Sequence, residues 1–296
     1  MKDSFSTFHP FVNFYYFVVI LTFSMIFMHP ILQAIALLSA AIYSILLNGR
    51  KAMKFNLLYM LPLFLFMAVL NPAFNHEGVT ILFYLNNGNP ITLESILFGV
   101  AAACMFVTVM MWFSCYNSVM TSDKFIYIFG KILPALSLIF SMVLRFVPRY
   151  LTQLKVISNA QQCIGRDVSQ GSLLSRAKHG ITILSIMTTW ALENAIETSD
   201  SMKSRGYGLP NRTSFSIFRF DSRDKVVLSL LIGLTVIVLL GAFRGENTIR
   251  YFPSIKMMEI TVYSVLVYIS YFLLCTVPVI INMVEAMKWK YIESKI

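Results

Sequence analysis

The chain has 296 residues, 57% of them hydrophobic and only 13% charged, about half the charged share of an ordinary soluble domain. That composition excludes a water-soluble enzyme, and its continuous apolar runs exclude an outer-membrane barrel, whose strands alternate over ~10 residues. The net charge of +10, from 24 Lys plus Arg against 14 Asp plus Glu, is read through the positive-inside rule, and no nucleic-acid partner is expected.

Apolar stretches of spanning length lie at 11–28, 31–47, 55–71, 93–116, 226–243 and 258–283, each near the ~20 residues a helix needs to cross a bilayer. The second and third are short or carry Pro62, so neighbouring helices must satisfy their backbone. Lys2 makes a weak n-region and no small-residue cleavage site follows the first run, so that run is expected to stay as a helix. Sorting the basic residues by loop puts one before the first span, three at 48–56, none at 71–92, fourteen at 119–225, three at 244–257 and three after the last span. With both termini cytoplasmic, 21 of the 24 lie inside. The basic-free loop, with Asn86, Asn87, Gly88, Asn89 and Pro90 as turn formers, then falls outside. The loop with Arg244, Arg250 and Lys256 is the discordant one.

The reading is therefore an all-α, polytopic membrane helix bundle in three parts: N-terminal transmembrane helices at 1–118, a cytoplasmic coupling region at 119–225 and C-terminal transmembrane helices at 226–296. The central region is basic yet carries apolar runs at 132–144 and 181–192. Runs of that length are too short to cross and suit helices lying against the inner membrane face.

Two long helices are expected there. The first begins near Pro134, is kinked at Pro148 and ends around Gly165, with Val147, Leu151, Leu154 and Ile157 on one face. In the second, Leu184, Met187, Ala191, Ala195, Thr198 and Met202 form a stripe in which all but Met187 fall within about 40° of Leu184. Gly206, Gly208 and Pro210 supply its stop, just after Arg205. Ala191 and Ala195 leave room for another helix to cross closely. Each helix closes on an arginine beside a glycine: Gly165, Arg166, Asp167 in the first and Ser204, Arg205, Gly206 in the second.

Chemistry on this chain is not expected. Cys104, Cys115, Cys163 and Cys275 have no CxxC spacing, and His9, His29, His76 and His179 are scattered, so neither a disulfide framework nor a metal or cofactor site is read. The carboxylates form no acid–base pair, and there is no GxxxxGK[ST] phosphate loop, so energy must come from a partner.

Leu144, Arg145, Phe146, Val147, Pro148, then Ala160, Gln161 and Arg166, then Ser201 to Gly208 with the residues Ser-Met-Lys-Ser-Arg-Gly-Tyr-Gly, carry a resemblance to a known family. With Phe8, His9 and Pro10 ahead of the first span, the chain resembles the transmembrane T component of energy-coupling factor (ECF) transporters over most of its length. The resemblance implies a non-catalytic scaffold in a bacterial or archaeal cell membrane, joining two ABC ATPase subunits to a small membrane subunit that binds a micronutrient, a vitamin or a transition-metal ion. In that family two coupling helices end in short motifs, commonly Ala-Arg-Gly, that dock into the ATPases. Carried over by position, the docking residues are Ile164, Gly165, Arg166 and Asp167, with Ser204, Arg205 and Gly206. The second motif is a close match. At the first, aligning Gly165 with the family glycine puts Cys163 and Ile164 where Ala-Arg is expected. The contact surface for the substrate-binding subunit is expected on the two apolar runs, at Leu136, Ile139 and Phe140 and at Leu184, Met187, Ala191 and Ala195.

Two rivals are weighed against this. A conventional ABC importer permease would offer one docking loop rather than two. A self-sufficient secondary transporter would place ionisable residues inside its spans, whereas none lies well inside the first four, with Glu94 and Glu259 at span edges.

Overall fold

The computed structural model describes residues 3–84, 88–130, 133–166, 168–209, 218–257 and 260–295. In chain order the elements are a 3-10 turn at Phe5–Thr7, α1 (Pro10–Ile26), α2 (Pro30–Asn48), α3 (Arg50–Phe55), α4 (Leu61–Phe74), the strands β1 (Ile81–Tyr84) and β2 (Pro90–Thr92), and α5 (Leu93–Val119). They continue with α6 (Ser122–Gly130), α7 (Pro134–Cys163), α8 (Leu173–Ser204), α9 (Ser222–Phe243), β3 (Ile249–Arg250), β4 (Lys256–Met257) and α10 (Val262–Glu293). The fold is an all-α polytopic bundle with two compact units, Met1–Phe125 with Phe218–Ile296, and Ile126–Ile217.

Among the described residues six helical stretches are long and apolar enough to cross a membrane: Pro30–Asn48, Arg50–Phe74, Leu93–Val119, Ala135–Cys163, Ser222–Phe243 and Val262–Glu293. The number equals the six spans expected from sequence, but the membership differs. Pro10–Ile26 has 17 residues and falls just below that length. The run ending at Leu144 does not stop there, because its helix continues unbroken through Arg145, Pro148 and Arg149 to Cys163. Its length therefore no longer argues against a crossing; the two arginines interrupt the apolar sequence without interrupting the helix.

In the first unit α5 is the central helix, packing on α1, α2 and α4, while α10 packs on α2 and α9. Trp112 of α5 is fully buried, with Tyr16 of α1 at 6.0 Å and Tyr43 of α2 at 6.3 Å between ring centroids. Phe5 from the 3-10 turn meets Tyr16 edge-on at 5.1 Å. Such tilted and edge-on pairs add about 0.5–1.5 kcal/mol each beyond burial. Between α3 and α4 the backbone makes one π turn at Asn56–Met60. Pro62 explains its place, because proline has no N–H to give the Leu58 carbonyl and its ring would clash there.

Two close approaches fix the helix spacing. A Cβ at Gly99 of α5 would stand 2.8 Å from the Ala68 carbonyl oxygen of α4, and one at Gly241 of α9 would stand 2.6 Å from Val267 Cγ2 of α10.

The N-terminal residues are tied down by polar bonds. The Ser4 N–H donates to Asn282 Oδ1 at 2.7 Å, the Asn282 amide donates to Asp3 at 2.5 Å, and the Tyr43 hydroxyl donates to Asp3 at 3.2 Å. Lys124, buried at 7% exposure, donates to the Ser6 carbonyl at 2.6 Å and to the Val119 carbonyl at 3.0 Å. With the Asn13 amide turned to suit its neighbours, Asn13 accepts the third ammonium proton at 3.0 Å. Burial lowers the Lys124 pKa, and the Asp3 carboxylate acts against that shift. At the first turn of α9, Asp224 likewise accepts from both the His9 and the Asp221 N–H at 2.9 Å.

The loop read as turn-forming folds into an antiparallel pair, β1 with β2. Gly88 takes φ +79° there, while Asn86 and Asn87 lie outside the described residues. Glu94, at the first turn of α5, accepts from the Thr80 N–H and the Thr80 hydroxyl. The loop containing Arg244, Arg250 and Lys256 likewise forms a short ladder of β3 and β4.

The second unit is a helical hairpin of α7 and α8. Tyr150 of α7 meets Trp190 of α8 edge-on at 5.4 Å, and the Arg149 guanidinium lies over the Trp190 ring at 5.5 Å.

Replacing Gly99 or Gly241 with Val is expected to cost about 1–3 kcal/mol through overpacking. Gly233→Val, whose Cβ meets nothing within 4 Å, is expected to be near neutral, as read by thermal unfolding of the detergent-solubilised protein. In the same assay Lys124→Met leaves the Ser6 and Val119 carbonyls unpaired and is expected to cost about 1–3 kcal/mol.

Candidate functional site

The two helix ends close in the same way. At the end of α7 the Gly165 N–H donates to the Gln162 carbonyl at 3.0 Å and the Arg166 N–H to the Gln161 carbonyl at 2.9 Å. At the end of α8 the Gly206 N–H donates to Lys203 at 2.9 Å and the Tyr207 N–H to Met202 at 3.0 Å. Both glycines sit at φ +77°. These are Schellman closures, in which a left-handed glycine lets the chain fold back and satisfy the last carbonyls.

The shared geometry sets the alignment of the two ends. Gly165 corresponds to Gly206, Ile164 to Arg205 and Arg166 to Tyr207. The first end therefore carries an aliphatic side chain, 62% exposed, where the second carries a guanidinium. Arg166 and Arg205 are both exposed, and among the described residues neither makes an ion pair. Asp167, named with them from the sequence, lies outside the described residues.

A third end is instructive. α9 closes with the Gly245 N–H on Ala242 at 3.0 Å and the Glu246 N–H on Gly241 at 3.1 Å, again after an arginine. There Arg244 lies over the Tyr263 ring at 4.7 Å. The closure is thus a general backbone device, and an outward guanidinium is what distinguishes the end of α8.

The α7 and α8 ends point away from one another along the hairpin. Taking the Tyr150–Trp190 contact as the crossing, about 20 Å of α7 and about 21 Å of α8 lie beyond it towards their C-termini. The residues of α7 before the crossing, Leu138 to Arg149, share a cleft with those of α8 after it, Asn194 to Arg205. The helices are therefore antiparallel, and their C-terminal ends lie on opposite sides of the crossing.

The packed faces differ in part from the stripes read in sequence. In α7 the half-buried and buried apolar and aromatic residues are Leu138, Met142, Phe146, Tyr150, Leu154 and Ile157, one turn apart throughout. Val147 and Leu151 are 50% and 55% exposed. In α8 from Ile183 onwards the packed residues are Ile183, Met187, Trp190, Ala191, Asn194, Thr198 and Met202, all within about 60° of Met187. The face is turned about 40° from the expected stripe, because Trp190 and Asn194 were not counted as packing residues. Leu184, 62% exposed, and Ala195 fall at its edge.

Of the residues named as a contact surface, Leu136, Ile139, Phe140, Leu184 and Ala195 are exposed, while Met187 and Ala191 are half-buried against α7. With Val143 and Leu144 the first three make a continuous exposed apolar face on α7.

The cleft between α7 and α8 encloses about 480 Å³. Arg145, Arg149, Arg205 and Glu197 line it together with Phe146, Met142 and Met202. Among the described residues no three His, Cys, Asp or Glu side chains gather as metal ligands. The cleft was missed in the sequence, although Arg145 and Arg149 one turn apart, facing Glu197 and Ser201 one turn apart, were its signal.

Residues 4–215 match the family model of CbiQ, described as a cobalt transport protein. That range runs from the N-terminal turn through both helix ends. The energy-coupling factor transporter transmembrane protein EcfT of Lactobacillus helveticus is 38% identical over 106 residues, 34% of this chain and 38% of that relative. EcfT of Lactococcus lactis is 33% identical over 36% of this chain and 40% of the relative, and EcfT of Staphylococcus aureus 32% identical over 37% and 41%. The chain thus aligns with about two fifths of the length of these curated relatives. Because the family match covers well over half of its residues, the chain belongs to the CbiQ family, that of the transmembrane T components of energy-coupling factor transporters.

Proposed function

We propose that this chain is the non-catalytic membrane scaffold of an ECF-type importer, coupling ATP hydrolysis by two ABC ATPase subunits to a small substrate-binding membrane subunit that takes up a micronutrient. The reading includes a cell-membrane location with the helix ends of α7 and α8 on the cytoplasmic side. The observation that carries it is the pair of like closures on opposite sides of one crossing, each presenting exposed side chains. Two ends held apart on one hairpin suit two separate ATPases, where a single docking loop would suit a different architecture.

In this reading Arg205 docks the second end. Its guanidinium has five donors in a rigid fork that match a carboxylate or a set of helix-end carbonyls, and Ser204 and Gly206 leave it unobstructed. Ile164 seats the first end by apolar contact, with Arg166 at its rim. The exposed apolar face of α7, at Leu136, Ile139 and Phe140, together with Leu184 and Ala195 of α8, receives the substrate-binding subunit; Met187 and Ala191 support it from within the hairpin seam. A change in the separation of the two ATPases on nucleotide binding then moves the two ends and reorients that face.

The test is co-purification from the native membrane in mild detergent. Removing one partner of a docked charge contact costs about 2–5 kcal/mol, so Arg205→Glu is expected to lower ATPase recovery by more than tenfold. Arg166→Glu is expected to have a smaller effect, and Arg244→Glu, at the closure of α9, none. Wild-type ATPase recovery with both Arg166 and Arg205 changed to Glu would sink the docking reading.

A further inference from the structure

The cleft between α7 and α8 is lined by charged as well as by packing side chains. It brings three guanidiniums and one carboxylate to the walls of a space of about 480 Å³. Among the described residues none of the four makes an ion pair within 4.0 Å. All four side chains are exposed at the mouth of the cleft, and like charges on adjacent turns of a helix repel. Arg145 and Arg149 stand one turn apart on α7, and Arg149 is held in place over Trp190 at 5.5 Å. The remaining lining is divided by character: Phe146, Met142 and Met202 are apolar, while Asn194, Thr198 and Ser201 offer hydrogen-bonding groups. The cleft is thus cationic with an apolar strip, and its volume lies in the range of ordinary ligand sites.

We propose that this cleft is a binding site for an anionic phospholipid, with the lipid phosphate held by Arg145 and Arg149 and the upper acyl chain against Phe146, Met142 and Met202. Charge complementarity selects the head group, since guanidiniums hold phosphate oxygens through paired N–H donors. The apolar strip selects an amphiphile over a free anion. The exposed apolar face of α7 at Ile139, Phe140 and Val143 belongs to the same helix, so a head group in the cleft and its acyl chains would meet adjoining surfaces of α7. Clusters of basic side chains at a membrane surface attract acidic head groups. Glu197 sets the selectivity: it opposes the phosphate, so the bound state depends on both arginines together.

The test uses the full chain in dodecylmaltoside, titrated with phosphatidylglycerol, with phosphatidylcholine of the same acyl chains and with inorganic phosphate, and read by native mass spectrometry and thermal unfolding. Phosphatidylglycerol is expected to bind and raise the unfolding midpoint, with phosphatidylcholine and inorganic phosphate giving little. Arg145→Gln with Arg149→Gln is expected to weaken that binding about 25-fold, at about fivefold per arginine near a membrane surface. Glu197→Gln is expected to tighten it a few-fold, a gain that a damaged fold does not produce. Equal binding of phosphatidylcholine, equal stabilisation by inorganic phosphate, or an unchanged affinity in Glu197→Gln would each overturn the assignment. Arg205 is left intact in every variant, so ATPase recovery reports on the docking reading separately.

Discussion

In hydrocarbon there is no water to satisfy a backbone N–H or carbonyl, and this one constraint orders the molecule. The chain answers with helices, and wherever a helix is interrupted the freed groups are closed locally. Pro62 is met by a π turn, the end of α2 by Gly49 at φ +56°, and the ends of α7, α8 and α9 by left-handed glycines that return N–H donors to the last turn. The β1–β2 pair does the same for a loop that has no helix to join. The ends of α7, α8 and α9 share this general device, and side chains alone separate the first two from that of α9.

Charge is handled differently in the two units. In the first, ionisable groups near the helix termini are bonded: Asp3 to Asn282 and Tyr43, Lys124 to two carbonyls, Asp224 to two backbone N–H groups, Glu94 to Thr80. In the second, the guanidiniums of Arg145, Arg166 and Arg205 are exposed and make no ion pair among the described residues. Bonded charges hold one packing, and the open ones carry no such constraint.

Much of this was legible in the sequence. Hydrophobic length gave the bundle, and Pro134 and Gly165 bounded α7, with Gly206 and Gly208 marking the end of α8, within a residue or two, because proline and glycine act through backbone geometry that travels with the residue; the start of α8 at Leu173 was not read. The character of α7 was harder to read, since Arg145 ended an apolar run on paper while the helix carried it on one side. The packed face of α8 was misjudged because Trp190 and Asn194 pack through size and a polar tip rather than through aliphatic periodicity. Lys124 counted as one more positive charge, and nothing local distinguishes a solvated lysine from one whose three protons are taken by Ser6, Val119 and Asn13. The strands at 81–84 and 90–92 depend on pairing across a loop, which residue patterns record only weakly.

The single seam between α7 and α8 has a mechanical consequence. The two helices meet along one face and are pinned at Tyr150, Trp190 and the overlying Arg149, with many of their other apolar side chains exposed. Such a pair has the geometry of two levers on one pivot. With arms of about 20 Å on each side of the pivot, a change of about 10° in the crossing angle displaces each tip by about 3.5 Å, while the aromatic contact at the fulcrum is almost unmoved.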